Sequence, residues 1–359
     1  MEIERTITGS NFEVGLTRDF LAPDGKCVYK DIGLSVLDAG ESVRYRFLDR
    51  HETIVTPDML SGIDAVISLT PKYTAASFLG LERLTAIVRF GVGYDMVDVK
   101  ACTDADILLC ITVGAVNHSV AEAIIAWMLA LNHRVFEKDR LVREGRWAER
   151  MHFMGGELRG RTLGIVGLGG IGERLVDLLK SFGMNHPLAF DPYVSPERAA
   201  ALQVRLVPLE QLMRESDFIS VNCPLTEQTR NLIGRDQIAS MKPAAFLINT
   251  ARGGIVNEEA LLEALKNKHI AGAAIDVYSA EPVGREHPFN GLGNVLLAPH
   301  CIAWTDELFR EIGTMAAQSV LAIAGGRVPV IGVVNRDVLE HPGFQRKLTR
   351  YRHAGRINQ

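Results

Sequence analysis

Leu163-Gly-Ile-Val-Gly-Leu-Gly-Gly-Ile-Gly172 begins as a short apolar run and ends as Gly167-x-Gly169-x-x-Gly172. The run suits one buried strand, and Glu173-Arg-Leu-Val-Asp-Leu-Leu-Lys180 has the apolar spacing of a helix that would follow it. The three glycines then have separate tasks. Gly167 permits a tight turn, Gly169 lets a pyrophosphate approach the backbone, and Gly172 lets helix lie on strand. Gly170 and Ile171, between the second and third glycines, are expected cofactor contacts, and the N-terminus of the helix that follows offers unpaired N–H groups and a positive dipole end to phosphate. Three glycines alone are a weak signal. Here the next apolar run, Pro187-Leu-Ala-Phe-Asp191, ends in an acid. Asp191 stands roughly 20 residues past the turn, where a carboxylate reaches ribose hydroxyls. That charge would repel a 2′-phosphate, so NAD is expected rather than NADP.

Strand and helix alternate on both sides of this turn. Before it, the pattern predicts strands over 12–16, 43–48, 63–69, 84–90 and 107–111, with helical stretches at 32–39, 56–60 and 73–79 between them. After it, strands are expected at 188–190, 218–222, 245–249, 272–276 and 295–298, with helices at 173–182, 208–214 and 258–268. Such alternation implies parallel sheets covered on both faces. One long helix is expected from Val120 to about Glu144, capped by Asn117 or by Ser119, whose Ser119-x-x-Glu122 matches a capping box, and stopped by Gly145. A final helix over 305–324 begins with Asp306 and Glu307 at its positive end. If it returns to the first sheet, the nucleotide domain is an insertion. The expected class is α/β, with two Rossmann-like or flavodoxin-like parallel-sheet domains. Residues 1–113 and 306–335 would form the substrate (catalytic) domain, 114–305 the inserted nucleotide domain and 336–359 a C-terminal tail. The tail is basic, with Arg346, Lys347, Arg350, Arg352 and Arg356, and reads as a solvated arm or an oligomer contact.

A length of 359 residues favours two domains over one. With 47% hydrophobic and 23% charged residues the composition is that of a globular protein. A net charge of −4 argues against nucleic acid or an anionic membrane as the main partner. The five cysteines are widely spaced with no Cys-x-x-Cys pair, which suits free thiols in a reducing, cytoplasmic setting. Met1-Glu-Ile-Glu-Arg5 carries acids and no apolar core, against a secretory signal. Neither a His-Glu-x-x-His nor a Cys/His cluster invites a metal.

Three polar residues stand where later strands run out: Arg252 after the 245–249 strand, Glu281 beyond Asp276, and His300 after Val295-Leu-Leu-Ala-Pro. Open parallel sheets bind ligands outside the carboxyl ends of their strands. Each residue alone has a bland reading, an arginine as solvated charge and a histidine as a satisfied structural group. Their convergence on one rim of a nucleotide sheet points to chemistry.

Gly167–Gly172, Asn249-Thr-Ala-Arg-Gly-Gly-Ile-Val-Asn257, Gly272-Ala-Ala-Ile-Asp276 with Glu281-Pro282, and Pro299-His300 with Thr305 resemble the NAD-dependent D-2-hydroxyacid dehydrogenases. D-3-phosphoglycerate dehydrogenase and glyoxylate/hydroxypyruvate reductase are among that family's members. Arg89-Phe-Gly-Val-Gly-Tyr-Asp-Met-Val-Asp98 and Ser119-Val-Ala-Glu122 match its first domain, so the resemblance runs over about 84–334. It implies hydride transfer between NAD(H) and a 2-hydroxy or 2-keto acid. Arg252 would hold the carboxylate with its planar fork. His300 would act as acid/base, with Glu281 on its other nitrogen fixing the tautomer and favouring the imidazolium. The resemblance also implies cofactor contacts at Thr250, Ala251, Arg252, Asp276 and His300, with Asp276 on the nicotinamide carboxamide, and at Cys223, Pro224 and Thr229 near the adenosine end. Substrate contacts are implied at Lys72 and along Arg89, Phe90, Gly91, Val92 and Gly93, where glycine N–H groups can face a carboxylate and Lys72 and Arg89 offer charge for a second anionic group. A homodimer is expected by the same analogy.

Departures from the family pattern are informative. Gly170 stands where relatives often carry Arg or Asn, and Cys223 where a His is common. Cys301-Ile-Ala-Trp304 replaces small, glycine-rich residues. Two other functions remain open on this fold: a phosphite-type dehydrogenase, and an NAD(H)-sensing, corepressor-like binding module. Formate enzymes of the same architecture carry Gln as the histidine's partner, so Glu281 argues against them.

Overall fold

The computed structural model describes residues 12–40 and 42–352; the reading at Met1–Arg5 and the tail beyond Arg352 lie outside them. The described chain divides into two compact units, one running to Val116 and resuming at Thr305, the other Asn117–Trp304. In the first, Phe12–Leu16 (β1), Val43–Phe47 (β2), Ala65–Ser68 (β3), Ala86–Arg89 (β4) and Leu108–Cys110 (β5) form one parallel sheet in the order β2-β1-β3-β4-β5. This is a flavodoxin-like order. β3, β4 and β5 are buried along their whole length, which explains their unbroken apolar runs. β2 is an edge, and its alternating Arg44 and Arg46 keep it from pairing further.

The second unit holds Leu163–Val166 (β6), Leu188–Phe190 (β7), Arg205–Leu206 (β8), Phe218–Val221 (β9), Phe246–Asn249 (β10), Gly272–Ile275 (β11) and Val295–Leu297 (β12). All seven pair in parallel, in the order β12-β11-β10-β9-β6-β7-β8, the doubly wound Rossmann arrangement. Alternate strand residues feed two separate cores. Ile219, Val221 and Leu247 pack on one face with Leu212, Ile238 and Leu261. Ile165, Phe218 and Ile248 pack on the other with Ile124, Met128 and Leu175. Each such side chain contributes about 1.5–3 kcal/mol on burial.

Three expectations need correction. The single helix over 120–144 is two, Asn117–Asn132 and Val135–Arg143. Arg134 between them is left-handed at φ 55°, and the Asn132 carbonyl accepts from Gly156 N–H at 2.9 Å. The first helix also starts two residues before Ser119, which therefore sits inside the first turn rather than capping it. The stretches at 56–60 and 73–79 are tight 3-10 turns, Pro57–Leu60 and Ala75–Phe78. The basic tail is no solvated arm up to Arg352, because the helix Pro342–Arg352 buries Phe344 and Leu348 completely. Lys347 goes in with them, donating from Nζ to the carbonyls of Leu84 and Ala105 at 2.9 Å and of Asp106 at 3.2 Å. Among the described residues no helix is long and apolar enough to cross a membrane, and no His/Cys/Asp/Glu group is arranged to hold a metal.

Candidate functional site

Because the second sheet is wholly parallel, the carboxyl ends of its strands share one edge. β6 runs into Gly167, whose φ of 96° is left-handed and whose absent Cβ would meet the Cys223 backbone nitrogen at 2.7 Å. Only glycine fits there. Gly172 is equally constrained by contact, since a Cβ would lie 2.9 Å from the Gly167 carbonyl. The helix Gly170–Leu179 follows, and its first internal bond runs from Glu173 N–H to Gly169 O at 2.9 Å. The amides of Gly170, Ile171 and Gly172 therefore precede the helical ladder and are available to an anion. A Cβ on Gly169 would meet nothing within 4 Å, so the turn is open on that side.

At the end of β7, Asp191 is half-buried and ties the turn together. Its Oδ2 accepts from Leu168 N–H and its Oδ1 from Tyr193 N–H, each at 2.8 Å. Each carboxylate oxygen keeps a lone pair for a further donor. Past β9, burial pushes the Cys223 thiol up to about 11, so it is a neutral apolar contact and not a nucleophile. Pro224 accepts from Thr229 Oγ1 at 2.6 Å, which closes the Pro224–Thr229 loop on itself.

β10 ends at Asn249, which builds the next turn. Its Oδ1 accepts from Ala251 N–H and its Nδ2 donates to Arg252 O, both at 3.1 Å. Thr250 Oγ1 is buried with no hydrogen-bond partner among the described residues. Arg252 is half-buried and donates from Nη1 to Ala251 O at 2.7 Å.

β11 and β12 deliver the remaining groups. Asp276 is 5% exposed and organises the turn after β12: its carbonyl accepts from His300 N–H at 2.8 Å, and its Oδ1 accepts from Cys301 N–H at 2.9 Å and Ile302 N–H at 3.2 Å. His300 sits at φ 56°, a strained conformation that these bonds hold. Burial raises the Asp276 carboxyl above its ordinary value against the pull of those N–H groups. Glu281 accepts from Tyr278 N–H at 2.9 Å through Oε1 and bonds His300 Nδ1 at 2.8 Å through Oε2. Burial opposes its ionisation, but the bonds from His300 and Tyr278 and the charges of His300 and Arg252 outweigh it and hold the carboxyl below its ordinary value. An ionised carboxylate only accepts, so Nδ1 of His300 carries the hydrogen of that bond.

The substrate residues expected on the first sheet divide. Arg89 is 4% exposed, and its guanidinium donates to the carbonyls of Ser68, Leu69 and Gly93. It braces its own loop rather than offering charge to an anion, which corrects the expectation. Phe90 likewise turns inward, edge-on to Phe20 at 5.0 Å. What this loop exposes is the half-buried backbone of Gly91, Val92 and Gly93, with Gly91 at φ 132°. The Lys72 side chain is exposed.

Sequence reasoning missed the residues that hold the site. Asn249 was visible as a residue but not as the clamp of its turn. Tyr278 donates its hydroxyl to Ala298 O at 3.1 Å, tying the Glu281 loop to β12. Glu258 accepts from Ser279 N–H at 2.5 Å. An Asx-turn reading at Asn249 could have been made, because short polar side chains before a turn commonly bond the backbone two residues on.

The comparisons with known proteins agree with this geometry. A family model described as "D-isomer specific 2-hydroxyacid dehydrogenase, NAD binding domain" matches residues 125–301. The chain is 40% identical over 288 residues to a glyoxylate reductase of Korarchaeum cryptofilum (strain OPF8), covering 79% of this chain and 86% of that one. It is also 40% identical over 280 residues to a D-3-phosphoglycerate dehydrogenase of Archaeoglobus fulgidus, covering 78% of this chain and 53% of that one; it spans about half that relative's length. Among solved structures, a 2-hydroxyacid dehydrogenase from Ketogulonicigenium vulgare Y25 aligns with a TM-score of 0.75 at 28% identity, over 90% of this chain and 98% of that one. D-2-hydroxyisocaproate dehydrogenase, at 24% identity and a TM-score of 0.76, shares the fold over 90% of this chain and all of its own. The matched domain binds NAD, and a glycine turn open at Gly169, with unpaired amides behind it, fits a dinucleotide's phosphates. The chain belongs to the D-isomer specific 2-hydroxyacid dehydrogenases, NAD-dependent oxidoreductases of two parallel-sheet domains.

Proposed function

We propose that this chain reduces a small 2-keto acid to the D-2-hydroxy acid, and the reverse, with Arg252 gripping the carboxylate and His300 passing the proton. The single observation that carries the reading is the 2.8 Å bond between His300 Nδ1 and Glu281 Oε2 on the sheet edge that also bears Arg252. Bound NADH supplies the hydride. Arg252 neutralises the carboxylate and fixes the angle at which the carbonyl is presented. With Nδ1 committed to Glu281, Nε2 of His300 is the nitrogen that gives a proton to the developing alkoxide, and takes it back in oxidation. Asp191 accepts the adenosine ribose hydroxyls. Thr250, Ala251 and Asp276 line the nicotinamide, and Cys223, Pro224 and Thr229 the adenosine.

Glyoxylate leads the candidate substrates, because a relative sharing most of both chains is named a glyoxylate reductase. We also propose a homodimer: Phe136, Val142, Trp147, Met151 and Met154 are each more than half exposed within one short stretch, an apolar surface that a second copy would cover.

The test is steady-state oxidation of NADH and NADPH with glyoxylate, hydroxypyruvate and longer 2-keto acids. We expect turnover with NADH, and for Arg252→Lys a loss of kcat/KM on the order of 10² as the two-pronged grip goes. A chain that binds NADH and oxidises it with none of these acids overturns the reading.

A further inference from the structure

Gly170 is a glycine for a different reason from its neighbours. It opens the helix Gly170–Leu179 with an ordinary backbone conformation, so no turn demands it. A Cβ there would instead come within 2.3 Å of Asn117 Nδ2 and 2.9 Å of Asn117 Cγ and Oδ1. The missing side chain makes room for one neighbour, the amide of Asn117. Asn117 is the first residue of the helix Asn117–Asn132 and belongs to the same unit as the glycine turn. It is half-buried, and its side chain makes no hydrogen bond among the described residues.

The Asn117 amide, with no partner of its own among the described residues, lies beside the first residue of a helix whose unpaired N–H groups and positive dipole end suit an oxyanion. Its Nδ2 can donate to the same oxyanion. The glycine turn beside them is where the dinucleotide's phosphates are expected.

We propose that Asn117 is a phosphate-binding residue of the NAD site, donating from Nδ2 to the pyrophosphate in place of the side chain that Gly170 lacks. The proposal rests on NAD being the cofactor of this domain. It makes Gly170 and Asn117 one functional pair drawn from two helices.

Equilibrium titration of the full chain with NADH, ADP and adenosine tests it, alongside thermal unfolding without ligand. Asn117→Asp keeps the size of the side chain and adds an acid where the helix dipole favours one, so the unfolding temperature should hold or rise. Affinity for NADH and ADP should fall by more than about tenfold, because a charge-assisted bond becomes a repulsion, while adenosine, which has no phosphate, should bind as before. A purely structural role would move stability and affinity in the same direction. Gly170→Ala is the independent variant: its methyl displaces the amide and should also weaken NADH. Unchanged NADH affinity in either variant overturns the proposal alone, as does an equal loss for adenosine. A wild-type chain that binds neither NADH nor ADP overturns the cofactor assignment and this proposal with it.

Discussion

Glu281 works on His300 from one side and Asp276 from the other. Asp276 shapes the left-handed turn through its carbonyl and Oδ1, whereas Glu281 touches the imidazole itself. The first shapes the backbone and the second holds the ring. Glu281→Gln should therefore leave the turn folded but remove the carboxylate that accepts from Nδ1, and under the proposed function kcat for keto-acid reduction should fall on the order of 10², with little change in NADH affinity. An unchanged kcat would remove Glu281 from proton transfer. Arg252, Glu281 and His300 could be singled out in the sequence because each follows a predicted strand whose carboxyl end lies on one edge of the second sheet. Arg89 and Phe90 misled for the converse reason: a β4 residue and its successor point by register, and register does not tell a ligand face from a core face until the neighbouring loops are known.

Between the strands, the loops carrying function are held by close contact as much as by hydrogen bonds. Gly253, next to Arg252, lies so near the Glu281 loop that a Cβ would fall 1.9 Å from Tyr278 O. Gly253→Ala must push the two loops apart. We expect a loss of about 1–3 kcal/mol in denaturant unfolding, the range for overpacking, together with a marked drop in kcat. Full stability in that variant would show that the contact yields freely. The central strands of both sheets could be read from their apolar runs because burial on two faces leaves no other composition, whereas the two-residue edge strand β8 carries no such run and was missed. The long helix could not be read to its break: nothing in Asn132-His-Arg-Val135 forbids helix, and the Gly156 amide that bonds the Asn132 carbonyl comes from 24 residues downstream. The tail misled in the same way, since a helix with one buried face and four basic residues has the composition of a solvated arm.

Across the whole chain, the C-terminal helix closes the first unit. Lys347 anchors it from inside, and burial brings its amine down to about 8 from an ordinary 10.5. The native state thus releases a proton that the unfolded chain keeps until about pH 10.5. Stability rises with pH wherever the unfolded state holds more protons, so the wild type should gain stability between about pH 8 and 10 relative to Lys347→Met, which does not titrate. Urea melts of both proteins at pH 7.5 and 9.5 check it; a gap that stays constant would show that Lys347 keeps its proton throughout.

The first unit is also tied by Asn335, whose Oδ1 accepts from Leu109 N–H at 2.8 Å, and by Phe309, whose ring stacks on Tyr29 at 4.0 Å. Both partners belong to residues made long after β1 to β5. During synthesis, therefore, the stretch that starts second can finish first. A nascent chain paused once Trp304 has left the ribosome holds every strand of the seven-stranded sheet, while the five-stranded sheet still waits for the helix Asp306–Ala324 and for Asn335 and Lys347. The segment that interrupts the other in sequence is positioned to precede it in folding.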